Sequence, residues 1–208
     1  MSRAFAYNSR MPGPSYLPRN RLDALVDGIL AITMTLLVFG LKLPDDIHGN
    51  LFGALGELRP KIVSWVVSFL ILALCWQRDV IDFRQVGHVD GRLFRLVVLW
   101  LLVTSVVPFT TTLIGEHDEL VQSHIVYAIN ITAIQLVAVL RDLHLRAHPD
   151  LFLDGKAEGH EVGWRPALII GLSSLASVGV AFWRPTEASL AYLLIWPLTL
   201  LANWLRPR

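Results

Sequence analysis

The sequence predicts an all-α integral membrane protein of six transmembrane helices with both termini in the cytoplasm. Three observations predict it. Hydrophobic residues make up 54% of the chain and charged residues only 17%, with a mean hydropathy of +0.52; soluble domains carry about 25% charged residues. Six apolar runs follow one another, each long enough, or nearly so, to cross a hydrocarbon core of about 30 Å. Lysine and arginine crowd into alternate connections, as they do on the cytoplasmic side of membrane proteins. Arg3, Arg10, Arg19 and Arg21 precede the first run; Arg78, Arg84, Arg92 and Arg95 lie between or flank the second and third. Arg141, Arg146, Lys156 and Arg165 lie between the fourth and fifth, and Arg206 and Arg208 end the chain. That is fourteen of the eighteen basic residues on one side.

Residues 1–20 read as a cytoplasmic tail, because Pro12, Pro14 and Pro18 oppose a helix. Residues 21–208 read as one six-helix membrane domain. No cleavable signal peptide is visible: the first stretch is polar, and the apolar run after it is too long for a signal core. Helix 1 is expected from Leu22 to Leu43, closed by Pro44; at about 1.5 Å per residue it reaches roughly 33 Å. It carries Asp23 and Asp27, and a charge inside a span normally faces protein or water. On a helical wheel Leu25, Gly28, Ile32, Thr35, Leu36 and Phe39 share one stripe, and the two aspartates fall on another face. The Asp face is read as tied into its own subunit. The Ile32 stripe is read as facing another subunit or a pore axis, although periodicity alone also fits a lipid or core surface.

Helix 2 is expected from Leu51 or Pro60 to Trp76, and a polar connector with Arg78, Arg84 and Arg92 follows. Helix 3, about Leu93 to Gly115, contains Pro108, which frees a carbonyl for neighbouring hydroxyls to bond. Helix 4, about Leu120 to Leu143, carries Asn130, Thr132 and Gln135, polar side chains suited to bonding adjacent helices. A hydrophilic loop from Arg141 to Arg165 follows. Helix 5, about Pro166 to Trp183, is rich in small residues that permit close approach. Helix 6 is expected from about Thr186 to Leu205, broken by Pro197. Trp164, Trp183, Trp196 and Trp204 stand near span ends as interfacial anchors. The single cysteine, Cys75, allows no intrachain disulfide and reads as a small buried residue. A net charge of +1 gives no ground for a nucleic-acid partner.

The start of helix 1 resembles the R-x-x-x-F-S-D signature of the transmembrane protein 175 family, potassium channels of lysosomes and many bacteria. Here Arg21 is followed by Leu25, Val26 and Asp27, then DGILAITMTLLVFGLKLP. Trp76 matches a family tryptophan at the end of helix 2, and LFRLVVLWLLVTSVVPFTTTLIGEH resembles the family's helix 3. The sequence departs from the family at Leu25 and Val26, which replace Phe and Ser, and at Asp79, where a His is common. The resemblance implies a single-repeat homotetramer in the bacterial plasma membrane, with helix 1 of each copy lining a central pore. It implies that Arg21, Asp27 and Trp76 form a packing network behind the pore. It puts the narrowest point at Ile32, five residues after the signature Asp, with Thr35, Leu36 and Phe39 continuing the wall. Nothing in the chain resembles a TVGYG carbonyl filter, so selection must use another device; a ring of isoleucines gates by dewetting. Monovalent cations, potassium foremost, are the permeant species, and no cofactor is expected.

Two other classes compete. A membrane enzyme would draw on His144, His148, Asp150, Asp154, His160 and Glu161, but their spacing matches no zinc-binding helix and a solvated loop explains them. A secondary transporter would use Asp27 as its coupling carboxylate, but Asp27 lies near a helix end rather than at a midplane break. The acids Asp45, Asp46, Glu116, Asp118 and Glu119 read as solvated loop residues.

Overall fold

The computed structural model describes residues 19–43, 51–153, 164–195 and 197–198. Seven α-helices are found there: α1 (Arg19–Leu36), α2 (Leu51–Glu57), α3 (Arg59–Phe83), α4 (Gly91–Ser105), α5 (Val107–Glu116), α6 (Val121–Ala147) and α7 (Trp164–Ala181). Taken with their short 3₁₀ extensions and with α4–α5 as one path, they give five helices long and apolar enough to cross a membrane. The expected sixth crossing starts as a 3₁₀ helix, Pro185–Leu194, not as an α-helix. Its buried Ser189, Tyr192 and Ile195 recur every three residues, which matches the tighter winding. Trp196 and residues 199–208, with Trp204, lie outside the described residues, as do residues 1–18, the loop acids Asp45 and Asp46, and Asp154, His160 and Glu161.

α6 is the hub, packed on α4, α5 and α7, and α3 lies along α5. Leu72 of α3, Leu93 and Val97 of α4, and Ile131 and Ile134 of α6 meet in the core with no exposed surface. Around them runs a polar layer. The Thr111 hydroxyl donates to Ser68 Oγ (2.7 Å), and Ser68 shares a hydrogen bond with the Tyr127 hydroxyl (2.9 Å). In a bilayer such groups must find partners within the protein.

Several boundaries differ from the sequence reading for identifiable reasons. α1 gives way after Leu36 to a 3₁₀ turn, Leu37–Gly40, because its end closes onto α5: a Cβ on Gly40 would stand 2.8 Å from Thr112 Oγ1. α3 does not stop at Trp76 but runs two turns further to Phe83, where Arg78 pairs with Asp82 one turn on (2.9 Å). The third span breaks at Val106, and Pro108 starts the next helix from its first turn. Hydroxyls and an amide both use the break: Ser105 Oγ donates to the Leu102 carbonyl (2.8 Å), Asn130 Nδ2 donates to the Val103 carbonyl (2.9 Å), and Asn130 Oδ1 accepts from Thr110 (3.0 Å).

The largest correction concerns the loop expected from Arg141. α6 continues to Ala147, so Arg141, Asp142 and His144 are buried helix residues rather than solvated loop. Beyond α6 the chain is clipped to the α3–α4 connector. The amides of Gly87 and His88 donate to the Leu151 carbonyl (2.8 and 3.0 Å), and the Leu153 amide donates to Gln85 (2.9 Å). Close approach requires glycine at 87, where a Cβ would meet Leu153 Cα at 3.2 Å.

Candidate functional site

α1 divides into three faces. Leu22, Val26, Leu30, Thr33 and Leu37 are buried against the bundle, four or three residues apart. Thr33 donates to the Ile29 carbonyl (2.7 Å), which keeps that face free of an unpaired hydroxyl. The opposite side carries Leu25, Gly28, Ile32, Thr35, Leu36 and Phe39, all exposed in the single chain, with Ile32 at 60% and Phe39 at 69%. The Thr35 hydroxyl donates to the Ile32 carbonyl (2.8 Å), which leaves its oxygen able to accept. An apolar face of this length, left uncovered by the described residues, is suited to meeting lipid or other copies.

The third face carries the aspartates. Trp76 Nε1 of α3 donates to Asp27 Oδ1 (2.9 Å), joining two of the three residues assigned to the network behind the pore. Arg21, the third, sits on the exposed side. The arginine that ties α1 down is Arg19. Its Nη1 donates to the carbonyls of Val86 (2.7 Å) and Arg84 (3.3 Å), and its Nε pairs with Asp23 (3.2 Å). No family motif pointed to Arg19; its position one turn before Asp23 was the available signal.

A second set of charges was not anticipated. Asp79, where a His is common in the family, is buried and ion-paired to Arg141 Nη1 of α6. Arg141 is 1% exposed, and its guanidinium carbon lies 4.7 Å from the Phe83 ring centre and 5.2 Å from that of Trp100. Beside it Arg78 links Asp82 (2.9 Å) to Asp142 of α6 (3.3 Å). Further along, His144 Nε2 lies 3.0 Å from Asp90 Oδ2, and the His148 ring stacks on His144 at 4.2 Å. Asp90 caps α4 through the Leu93 amide (2.7 Å). Burial alone would raise the Asp90 carboxyl, but the Leu93 amide and His144 outweigh it and hold it below its usual range. Asp79 is twenty residues along α3, about 30 Å from its start, a distance equal to the thickness of a bilayer core, and the cluster joins the ends of α3, α4 and α6. Its carboxylates are taken by arginines and a helix cap, and among the described residues no three His, Cys, Asp or Glu side chains group to hold a metal.

The remaining polar residues singled out in the spans fall into place individually. Gln135 Nε2 donates to the buried Cys75 thiol (3.4 Å), whereas Thr132 is exposed. Glu116 pairs with Lys61 (3.7 Å). Burial and the neighbouring Glu119 raise the Asp118 carboxyl.

Fold and site together define a multi-pass helical membrane protein whose first span offers an uncovered apolar face. Residues 21–108 match the family described as the endosomal/lysosomal potassium channel TMEM175. A potassium channel of Streptomyces collinus is 35% identical over 137 residues, 64% of this chain and 66% of that protein. A potassium channel of Chamaesiphon minutus is 30% identical over 155 residues, 72% of this chain and 76% of that protein. The crystal structure of a lysosomal potassium-selective channel TMEM175 homolog from Chamaesiphon minutus superposes with a TM-score of 0.72, covering 88% of this chain and 97% of that one at 24% identity. The chain belongs to the TMEM175 family of potassium channels.

Proposed function

We propose that this chain is a potassium-permeable channel whose permeation path is lined by α1 from four copies, with Ile32 forming a hydrophobic constriction. The observation that carries the reading is the uncovered stripe of α1. Ile32 stands out from the subunit on the side away from the packed Leu22–Leu37 face, and the family relation supplies the ion. Four isoleucines around an axis repel water, so an ion passes by shedding part of its hydration shell, and potassium sheds it more cheaply than sodium. Thr35, one turn on, presents a hydroxyl oxygen that replaces some of the lost water, and Leu36 and Phe39 continue the apolar wall. Trp76 and Asp27 hold α1 from behind so that the stripe keeps its aim. The reading also takes six crossings, both termini in the cytoplasm and a bacterial plasma-membrane location, in keeping with the distribution of arginine and lysine.

The test is ion flux in liposomes containing the purified protein. Potassium is expected to move down its gradient without coupled proton or sodium movement, faster than sodium does. Coupled, stoichiometric exchange would replace the channel with a transporter. Ile32→Asn is expected to raise conductance and weaken discrimination. Unchanged single-channel currents would remove Ile32 from the pore.

A further inference from the structure

The arginines near the membrane boundary fall into two groups. Arg19, Arg78 and Arg141 are engaged by carboxylates or carbonyls inside the protein. Arg92 and Arg95, in the first turns of α4, are exposed and meet no carboxylate among the described residues. They do not stand alone. The residues that follow at spacings of four and three, Leu99, Leu102, Val106 and Phe109, are all exposed, Leu102 at 62% and Phe109 at 65%. Together the six residues make one stripe along α4 and α5, cationic at one end and apolar for the rest. The Arg95 guanidinium folds back toward the helix start: Nη1 lies 3.9 Å from where a Cβ on Gly91 would be. An arginine turned toward the helix end in this way keeps its charge at the headgroup level while its stem stays among apolar side chains.

We propose that this stripe is a binding site for an anionic phospholipid of the leaflet reached by the start of α4. The guanidiniums of Arg92 and Arg95 take the headgroup phosphate, with bidentate geometry available to each. An acyl chain lies along Leu99, Leu102, Val106 and Phe109. Charge complementarity selects this occupant. A second copy docked by this same face would bring another pair of like charges to one place, and a head-to-tail neighbour of the proposed ring is distinguished by the cross-linking arm below, whereas an anionic lipid supplies the missing charge and an apolar tail in one molecule.

The test is native mass spectrometry of the detergent-purified protein with phosphatidylglycerol and phosphatidylcholine of identical acyl chains added in equal amounts. The wild type is expected to retain the anionic lipid about tenfold over the zwitterionic one, and high salt is expected to erase the preference. Arg92→Gln/Arg95→Gln is expected to abolish it, and Arg146→Gln/Arg165→Gln, at exposed arginines elsewhere on the same side, to keep it. Equal loss in both double variants, or no loss in the first, would overturn the site. Leu102→Cys in a Cys75→Ala background gives a second reading on a protein with both arginines intact. A spin label there is expected to contact spin-labelled phosphatidylglycerol more than phosphatidylcholine. Photo-crosslinking from Leu102→p-benzoylphenylalanine is expected to capture lipid; capture of a neighbouring subunit would instead seat a second copy on the stripe and refute the proposal.

Discussion

Removing the carboxylate of Asp79 is the sharpest perturbation the structure offers. Asp79→Ala leaves the Arg141 guanidinium 1% exposed with its direct anion gone. Breaking one side of a buried pair typically costs about 3–5 kcal/mol, because the remaining charge stays desolvated. Two features hold this case to the lower end. The Phe83 and Trp100 rings stay within 5.2 Å of the guanidinium carbon, and each such contact is worth about 0.5–2 kcal/mol. Asp82 and Asp142, held by Arg78, also remain close by. A loss of about 3 kcal/mol is therefore expected, roughly a hundredfold in the folding equilibrium. At about 2–4 °C per kcal/mol for a chain of this size, the midpoint falls by about 6–12 °C. The assay is thermal unfolding of the detergent-purified protein, with the single variants Asp79→Ala and Arg141→Met and the double variant Asp79→Leu/Arg141→Met. The double variant is expected to regain most of the loss, since apolar replacement of a whole buried pair is often near neutral. If Asp79→Ala melts with the wild type, or the double variant melts as low as the worse single one, the pair is not coupled as described.

Other substitutions separate the roles of neighbouring residues. Trp76→Phe removes the donor to Asp27 while keeping an aromatic side chain. It is expected to lower the stability of the proposed tetramer in size-exclusion chromatography more than it alters the potassium-to-sodium flux ratio. Asn130→Leu removes one hydrogen bond each from the Val103 carbonyl, which keeps the Val106 amide (3.3 Å), and from Thr110, which keeps the Val107 carbonyl (3.2 Å), and a loss of about 1 kcal/mol in denaturant unfolding is expected. Asp90 gives a pH dependence with a definite sign. Its folded-state pKa lies below the unfolded value, so its contribution is present above about pH 4 and is lost as the pH falls through the folded value. An Asp90→Asn variant is expected to be less stable at neutral pH and to show a shallower decline in melting temperature below pH 4.

Five of the six expected spans were legible because each is an apolar run bounded by charge or proline, and that signal is local. On α1 the Ile32 stripe and the aspartates were legible as separate faces, but the buried row of Leu22, Val26, Leu30 and Leu37 was not, because the aspartates drew the packed side to themselves. The charge cluster was not. Arg141 and His144 follow an apolar run in a stretch that reads as ordinary loop, and only α3 and α4 packing against α6 makes them interior. Asp79 looked like a bare departure from a family residue, because its partner is 62 positions away and no spacing rule links them. The end of α1 was misjudged by a turn because the close approach of Thr112 to Gly40 is a tertiary fact.

The arrangement of α1 separates what holds the subunit together from what an ion would meet. Its attachments are all on two faces: the apolar row against the bundle, and the polar ties of Arg19 to the Val86 carbonyl and of Asp27 to Trp76. Among the described residues nothing on the Ile32 stripe is used to attach the helix. Truncating Leu30, 1% exposed, removes buried surface and opens a cavity, so Leu30→Ala is expected to destabilise the chain by about 2–5 kcal/mol. Truncating Ile32 removes little that the subunit buries, so Ile32→Ala is expected to leave unfolding of a dissociated copy nearly unchanged while altering flux in the assembled channel. Comparing the two variants at one temperature tests the separation directly. A subunit as destabilised by Ile32→Ala as by Leu30→Ala would mean that the stripe is core after all, and α1 would have no free face to give to a pore.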